Sequence, residues 1–361
     1  MTKLRQLHES GQSIWYDFIR RDMLTGSGLE ELVNSGIRGV TSNPSIFEKA
    51  IADSDLYDEQ IGSLRDLSPG EAFETLAVDD IKAAADILRP VYDQSGGHDG
   101  YVSLEVSPEL AHDTSATIAD AMRLWDRVHR PNLMVKVPAT DAGIPAIEEL
   151  TAAGLNINAT LMFSLSDYEA VAMAYIRGAE RASDPSKLAS VASFFVSRVD
   201  ASTDAALERI GTDRALSLRG QAAVANAKVA YRRYQELFEG DRFTALRSTG
   251  TRPQRVLWAS TSTKNPDYND VMYVEDLIGR NTVNTAPPAT IDAFVDHGTV
   301  TADSLLAGMD EAPLFINSLP EVGVSFDSIT ARLKRDGVDS FADAYASLLS
   351  AIETKQRQTA S

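Results

Sequence analysis

The stretch Leu133-Met134-Val135-Lys136-Val137-Pro138 decides how the chain is read. Branched and apolar residues closed by a proline predict a buried β-strand over 133–138, with one lysine inside it. A desolvated ammonium has lost its water, which is costly. The cost falls if the amine is neutral, and a neutral amine is a nucleophile toward carbonyls. A salt-bridged or edge-strand lysine is the plain alternative.

Working outward, short apolar runs alternate with helix-length amphipathic segments. Strands are expected at 13–19, 38–43, 101–106, 133–138, 155–163, 190–197, 255–261 and 282–286. In 114–130, Ile118, Met122, Trp125 and Val128 fall on one helical face. Ser166-Asp167-Tyr168-Glu169 has the form of a capping box opening a helix at Asp167. Pro145 and Gly154 bracket the helix that follows Lys136. Eight strands separated by helices predict an α/β fold, a single (β/α)8 TIM barrel spanning residues 1–361. A doubly wound sheet is the competitor, but no Gly-x-Gly-x-x-Gly opens a helix. Residues 44–80 are expected to insert helices after the second strand. Residues 289–361 should form a mainly helical C-terminal extension, ending in a polar tail near 354–361.

Of the 361 residues, 43% are hydrophobic, enough for a sizeable core, and none is cysteine. Disulfides, thiolate metal sites and a cysteine nucleophile are therefore excluded. Five scattered histidines without a His-Glu-x-x-His pattern give no metal set. The net charge of −18 argues against nucleic acid and anionic membranes as partners. The first residues lack the apolar core of a signal peptide and no run reaches membrane-span length. A cytoplasmic protein is expected, as monomer or homodimer.

Strand side chains alternate faces, and in several of these strands one face is polar. Glu105 lies opposite Leu104 and Val106. Asn156, Asn158 and Thr160 lie opposite Leu155, Ile157, Ala159 and Leu161. Thr41 and Asn43 share a face in the second strand, and Asp17 is in phase with Trp15 in the first. Each has an ordinary explanation. Asp17 could pair with Arg20 or Arg21, Asn43-Pro44 is a common turn pair, and Asn158 and Thr160 could satisfy each other. Together they describe a polar-lined barrel end, because a core tolerates few unsatisfied polar groups. An unperturbed lysine is neutral in about one molecule in 2,500 at pH 7, and burial favours the neutral form. Such an amine can form an imine with a ketone, and the protonated imine is an electron sink for breaking an adjacent carbon–carbon bond. Glu105 and Asp17 are the carboxylates available to carry protons.

Six segments, in order, resemble transaldolases of the longer bacterial form: Thr41-Ser42-Asn43-Pro44-Ser45, Ser103-Leu104-Glu105-Val106, Val135-Lys136-Val137-Pro138, Asn156 to Ser164, Ala192 to Asp200, and Trp258 to Pro266. The resemblance implies transfer of a dihydroxyacetone unit between sugar phosphates of the pentose phosphate pathway, without a cofactor. Sedoheptulose 7-phosphate and glyceraldehyde 3-phosphate would give erythrose 4-phosphate and fructose 6-phosphate. By the same resemblance Lys136 is the Schiff-base lysine and Asp17 the base at the sugar's C4 hydroxyl. Glu105 and Thr160 position the catalytic water. Asn43, Asn158 and Ser193 hold the dihydroxyacetone hydroxyls, Phe195 is an aromatic wall, and Arg198 and Ser260 bind phosphate. Shorter transaldolases carry a second phosphate arginine where this chain has Ser262, and Lys264 is the substitute charge. Arg198 could instead pair with Asp200. Two other readings remain. A fructose-6-phosphate aldolase would release free dihydroxyacetone, though such enzymes typically carry tyrosine at the Phe195 position. A non-catalytic sugar-phosphate-binding barrel would not need Lys136, Glu105 and Asp17 together.

Overall fold

Eight parallel strands close on themselves in sequence order. They are β1 (Gln12–Tyr16), β2 (Gly39–Val40), β3 (Tyr101–Glu105), β4 (Leu133–Pro138), β5 (Ile157–Met162), β6 (Ser190–Phe195), β7 (Arg255–Ala259) and β8 (Thr282–Ala286). The computed structural model describes residues 1–358. All eight expected strands are present, so the (β/α)8 barrel stands. β2 is shorter than expected, but the ladder runs on past it: Thr41 N donates to Tyr16 O at 3.0 Å.

The end at which the strands begin is plugged. Asp99, which is buried, accepts from Ser13 Oγ, from Trp15 Nε1 at 3.1 Å and from Arg255 at 3.1 Å. Gly39 is required at this level, because a Cβ there would stand 2.6 Å from the Trp15 ring. The opposite end, where the strands finish, is where a site can open.

The insertion after β2 forms helices Pro44–Ala52 and Asp58–Ser63 before the barrel helix Pro69–Gln94. The last of these starts on a true capping box, Ser68 with Glu71, and has proline at its first position. Asp80 ties the insertion to the barrel by accepting from Arg21 at 2.8 Å and from Tyr57 Oη at 2.8 Å. Arg20 pairs with Asp22, so neither arginine neutralises Asp17.

Two local expectations need correction. The helix after β3 is Thr114–Val128, and it buries Thr117, Ala121, Leu124 and Val128. Met122 is 37% exposed. Small residues let the helix approach the barrel closely, which turns its bulkier stripe toward the flank. The helix after β5 begins at Leu165, and its cap is Ser164, whose Oγ accepts from Asp167 N at 3.1 Å. Ser166 instead lies 3.0 Å from Ser164 Oγ.

The last described element is one long helix, Phe326–Gln358, which packs on Pro44–Ala52 and runs across the barrel mouth. Much of the tail expected over 354–361 is therefore helical. Residues 359–361 lie outside the described residues. No described helix is long and apolar enough to cross a membrane.

Candidate active site

Strand register sets the central row. Glu105 is the Cα partner of Lys136, and Lys136 is the Cα partner of Asn158. Partners on parallel strands point to the same face, so three polar side chains stand side by side inside the barrel. Lys136 Nζ lies 3.1 Å from Glu105 Oε2, and both side chains are 6% exposed. The amine donates to Ser42 O at 3.2 Å. Oε2 has the charge contact without an aligned hydrogen bond. Burial raises the Glu105 carboxyl above its ordinary range, against the pull of the Lys136 charge.

Asp17 follows β1 and continues its ladder, with N donating to Ala286 O at 2.9 Å. Its Oδ1 accepts from Thr41 Oγ1 at 2.6 Å, and Thr41 also meets Thr285 Oγ1 at 2.6 Å. Burial raises the Asp17 pKa, while Thr41 and the charges of Lys136 and Lys264 oppose the rise.

On the other side of Lys136, Asn158 Nδ2 donates to Ser103 Oγ at 2.9 Å, and its Oδ1 accepts from Ser193 Oγ at 2.7 Å. Asn158 and Thr160 therefore do not satisfy each other. Thr160 Oγ1 is buried with no protein partner among the described residues. Asn43 caps the helix Pro44–Ala52, accepting from Ile46 N at 2.9 Å. That commits its Oδ1 and leaves Nδ2 for a ligand.

A cavity of about 520 Å³ opens on these groups. Asp17, Asn43, Lys136, Thr160, Ser193, Phe195, Arg198, Ser260 and Lys264 all line it. Glu105 and Asn158 sit behind that lining and reach the cavity through Lys136 and Ser193. A cavity of similar size, about 560 Å³, lies beside the insertion and is lined by Asn43 and Glu105 as well. Its arginines, Arg123 and Arg127, are already paired with Glu74, and it contains no amine.

The positive end of the cavity is built from helical turns and the loop after β7. Arg198 is in the first turn of the helix Ser197–Ile210, and its Cζ stands 5.5 Å from the centre of the Phe195 ring. Asp200 is not its partner. That carboxylate accepts from Tyr273 Oη and Ala223 N, each at 2.7 Å, and burial pushes its pKa up to about 6. Ser260 is held in the left-handed region at φ 57°, with its Oγ 3.0 Å from Ser197 Oγ. Lys264 Nζ donates to Ser262 Oγ at 2.6 Å. Burial, and then the neighbouring charges of Arg198 and Lys49, push the Lys264 amine below its ordinary pKa. Among the described residues, none of Arg198, Lys264 and Lys49 forms an ion pair. A chain of charge −18 thus keeps three cations outside any ion pair at one cavity, a charge distribution that suits an anion.

Sequence reading missed Lys49 and Phe341. Lys49 comes from the inserted helix Pro44–Ala52 and lines the cavity. Phe341 comes from the C-terminal helix, and its ring centre lies 5.3 Å from Lys136 Nζ. Gly337, one turn before Phe341 in an otherwise good helix, was the available signal.

A barrel mouth that joins a buried amine, two carboxylates and a cationic end has the make-up of a lysine-dependent enzyme site. The chain belongs to the transaldolase/fructose-6-phosphate aldolase family, whose model matches residues 14–352. It is 46% identical to transaldolase 2 of Streptomyces coelicolor, over 99% of this chain and 98% of that protein. It is 48% identical to the transaldolase of Frankia alni, over 97% and 96%. With the transaldolase of Mycolicibacterium paratuberculosis it shares 47% identity, over 99% and 97%.

Proposed function

We propose that the protein is a transaldolase that carries a dihydroxyacetone unit on Lys136 from a ketose phosphate to an aldose phosphate. The observation that carries this reading is the Lys136–Glu105 contact of 3.1 Å at the floor of a cavity whose far end is cationic.

Proton transfer within that contact gives the neutral amine. Its lone pair adds to the ketose C2 carbonyl, forming a carbinolamine. Glu105, whose raised pKa lets it hold a proton nearer neutral pH than an ordinary carboxyl, protonates the departing hydroxyl. Water leaves and the iminium forms. Asp17 takes the C4 hydroxyl proton, the C3–C4 bond breaks, and its electron pair neutralises the iminium as an enamine. The aldose departs, and an acceptor aldose reverses these steps. Thr160 Oγ1 is buried without a hydrogen-bond partner among the described residues, and Glu105 Oε2 has its charge contact with Lys136 but no aligned hydrogen bond, which supports their reading as the pair that holds the catalytic water. Phe195 offers no hydroxyl to water, which favours transfer over hydrolytic release. Arg198, Ser260 and Lys264 take the phosphate, with lysine as a point charge in place of an arginine fork.

The test is borohydride reduction with fructose 6-phosphate followed by peptide mapping. A three-carbon adduct on the peptide containing Lys136 is expected. An adduct elsewhere, or none, overturns the reading.

A further inference from the structure

Besides the Ser42 carbonyl at 3.2 Å, Lys136 Nζ has two side-chain neighbours of different chemistry. Glu105 Oε2 lies at 3.1 Å, and the ring centre of Phe341 lies at 5.3 Å. We propose that Phe341 is a further catalytic residue, whose ring face stabilises the positive charge of the iminium on Lys136; this rests on the Schiff-base reading above.

The fold tolerates two local costs to bring this ring in. Gly337 sits inside a helix, where glycine is unfavourable relative to alanine. It allows a close approach: a Cβ there would stand 3.1 Å from Leu161 Cδ2. Leu161 in turn lies in the left-handed region at φ 61°, strained for a bulky residue. It falls where the pairing of β5 with β6 slips between Ala159 and Met162. Both departures meet at one contact between the helix and β5. Residues four apart share a helical face, so seating Gly337 against Leu161 delivers Phe341 to the mouth. The ring is 5% exposed, so little water competes for the charge.

The chemistry gives the ring a task that Glu105 cannot perform throughout. Glu105 is protonated, and so uncharged, until it expels the carbinolamine hydroxyl, and it becomes a counter-ion only as its proton leaves with the water. An aromatic face attracts a cation without any change in its own protonation. It favours the iminium over the neutral carbinolamine before it and the neutral enamine after it. No atom or electron is exchanged with Phe341.

The experiment places phenylalanines with one, two and three ring fluorines at position 341 of the full chain. Fluorination drains the ring face with little change of shape. Cyanoborohydride, which reduces iminium selectively, then traps the adduct at saturating fructose 6-phosphate. The initial trapping rate is expected to fall stepwise, on the order of ten-fold from none to three fluorines. Phe341→Leu, which keeps an apolar side chain without a ring, should match the trifluoro protein. A flat fluorine series with normal trapping would overturn the proposal and leave the Schiff-base reading standing. So would a loss seen only in Phe341→Leu, which would mark a packing role. Absence of any adduct in the unsubstituted protein would instead overturn the Schiff base itself.

Discussion

Glu105 and Lys136 are Cα partners on adjacent parallel strands, so the 3.1 Å contact between their charged ends is set by barrel register rather than by a flexible loop. Backbone pairing at β3 and β4 fixes both Cα positions, and neither side chain is free to leave a buried interior. That rigidity gives the pair a defined role in imine formation. Glu105→Gln keeps the shape and removes the proton. We expect kcat to fall about 10²-fold or more, with borohydride trapping slowed at the same peptide. Unchanged kcat would remove Glu105 as the acid.

Asp17 acts after imine formation, so Asp17→Asn should separate the two halves of the reaction. We expect trapping with fructose 6-phosphate to persist while aldose release falls about 10²–10⁴-fold. Stability should change in the opposite sense. The folded pKa of Asp17 is raised by burial, so the folded state binds its proton more tightly than the unfolded chain does. The contribution of Asp17 is therefore most favourable below the unfolded value, about 3.9. It is lost as pH rises through the raised folded value. Asparagine cannot ionise, so wild type should fall progressively behind the variant in urea denaturation as pH rises from the unfolded value, about 3.9, to the raised folded value of Asp17. A constant difference across that range would show that Asp17 ionises as easily in the fold as in the unfolded chain.

The strands and most of the site were legible because both are written in alternation. Glu105 between Leu104 and Val106, or Asn158 between Ile157 and Ala159, can point only one way once the apolar set meets the helices. What the sequence hid depends on tertiary approach. The helix Thr114–Val128 turns its small residues inward, so a search for bulky apolar residues selects the adjacent stripe. Leu161 sits at a slip in pairing, where strict alternation fails. Phe341 reaches Lys136 only because a distant helix crosses the mouth, and Lys49 only because the insertion folds back over it. No period in the chain encodes either meeting.

Gly39 offers a test of the plug beneath the site. Its missing side chain is occupied by the Trp15 ring, 2.6 Å from where a Cβ would stand, and Trp15 is fully buried. Gly39→Ala must push that indole away from Asp99 or bend β2. Overpacking of this kind costs about 1–3 kcal/mol, and thermal unfolding should show a matching loss. A melting temperature equal to wild type would mean that Trp15 can move freely, contrary to its packing.

Lys264 gives the phosphate site its own pH signature. Burial, with Arg198 and Lys49 nearby, lowers the Lys264 pKa, and Asp17 only partly restores it. In the empty site the amine therefore loses its proton at a lower pH than an ordinary lysine, about 10.4. A phosphate dianion would pull the proton back, so binding and protonation reinforce each other. KM for fructose 6-phosphate should stay flat while Lys264 is charged and rise as pH passes through its lowered pKa. Lys264→Arg keeps its charge throughout this range and should remove that alkaline rise, although its different geometry can alter KM at neutral pH. Lys264→Ala should raise KM at every pH and lessen the preference for fructose 6-phosphate over free fructose. Free fructose, which has no phosphate, should show no such rise in the wild type. If Lys264→Arg kept the wild-type rise, or free fructose showed the same one, the limb would belong to another group, and Lys264 would lose its role in phosphate recognition.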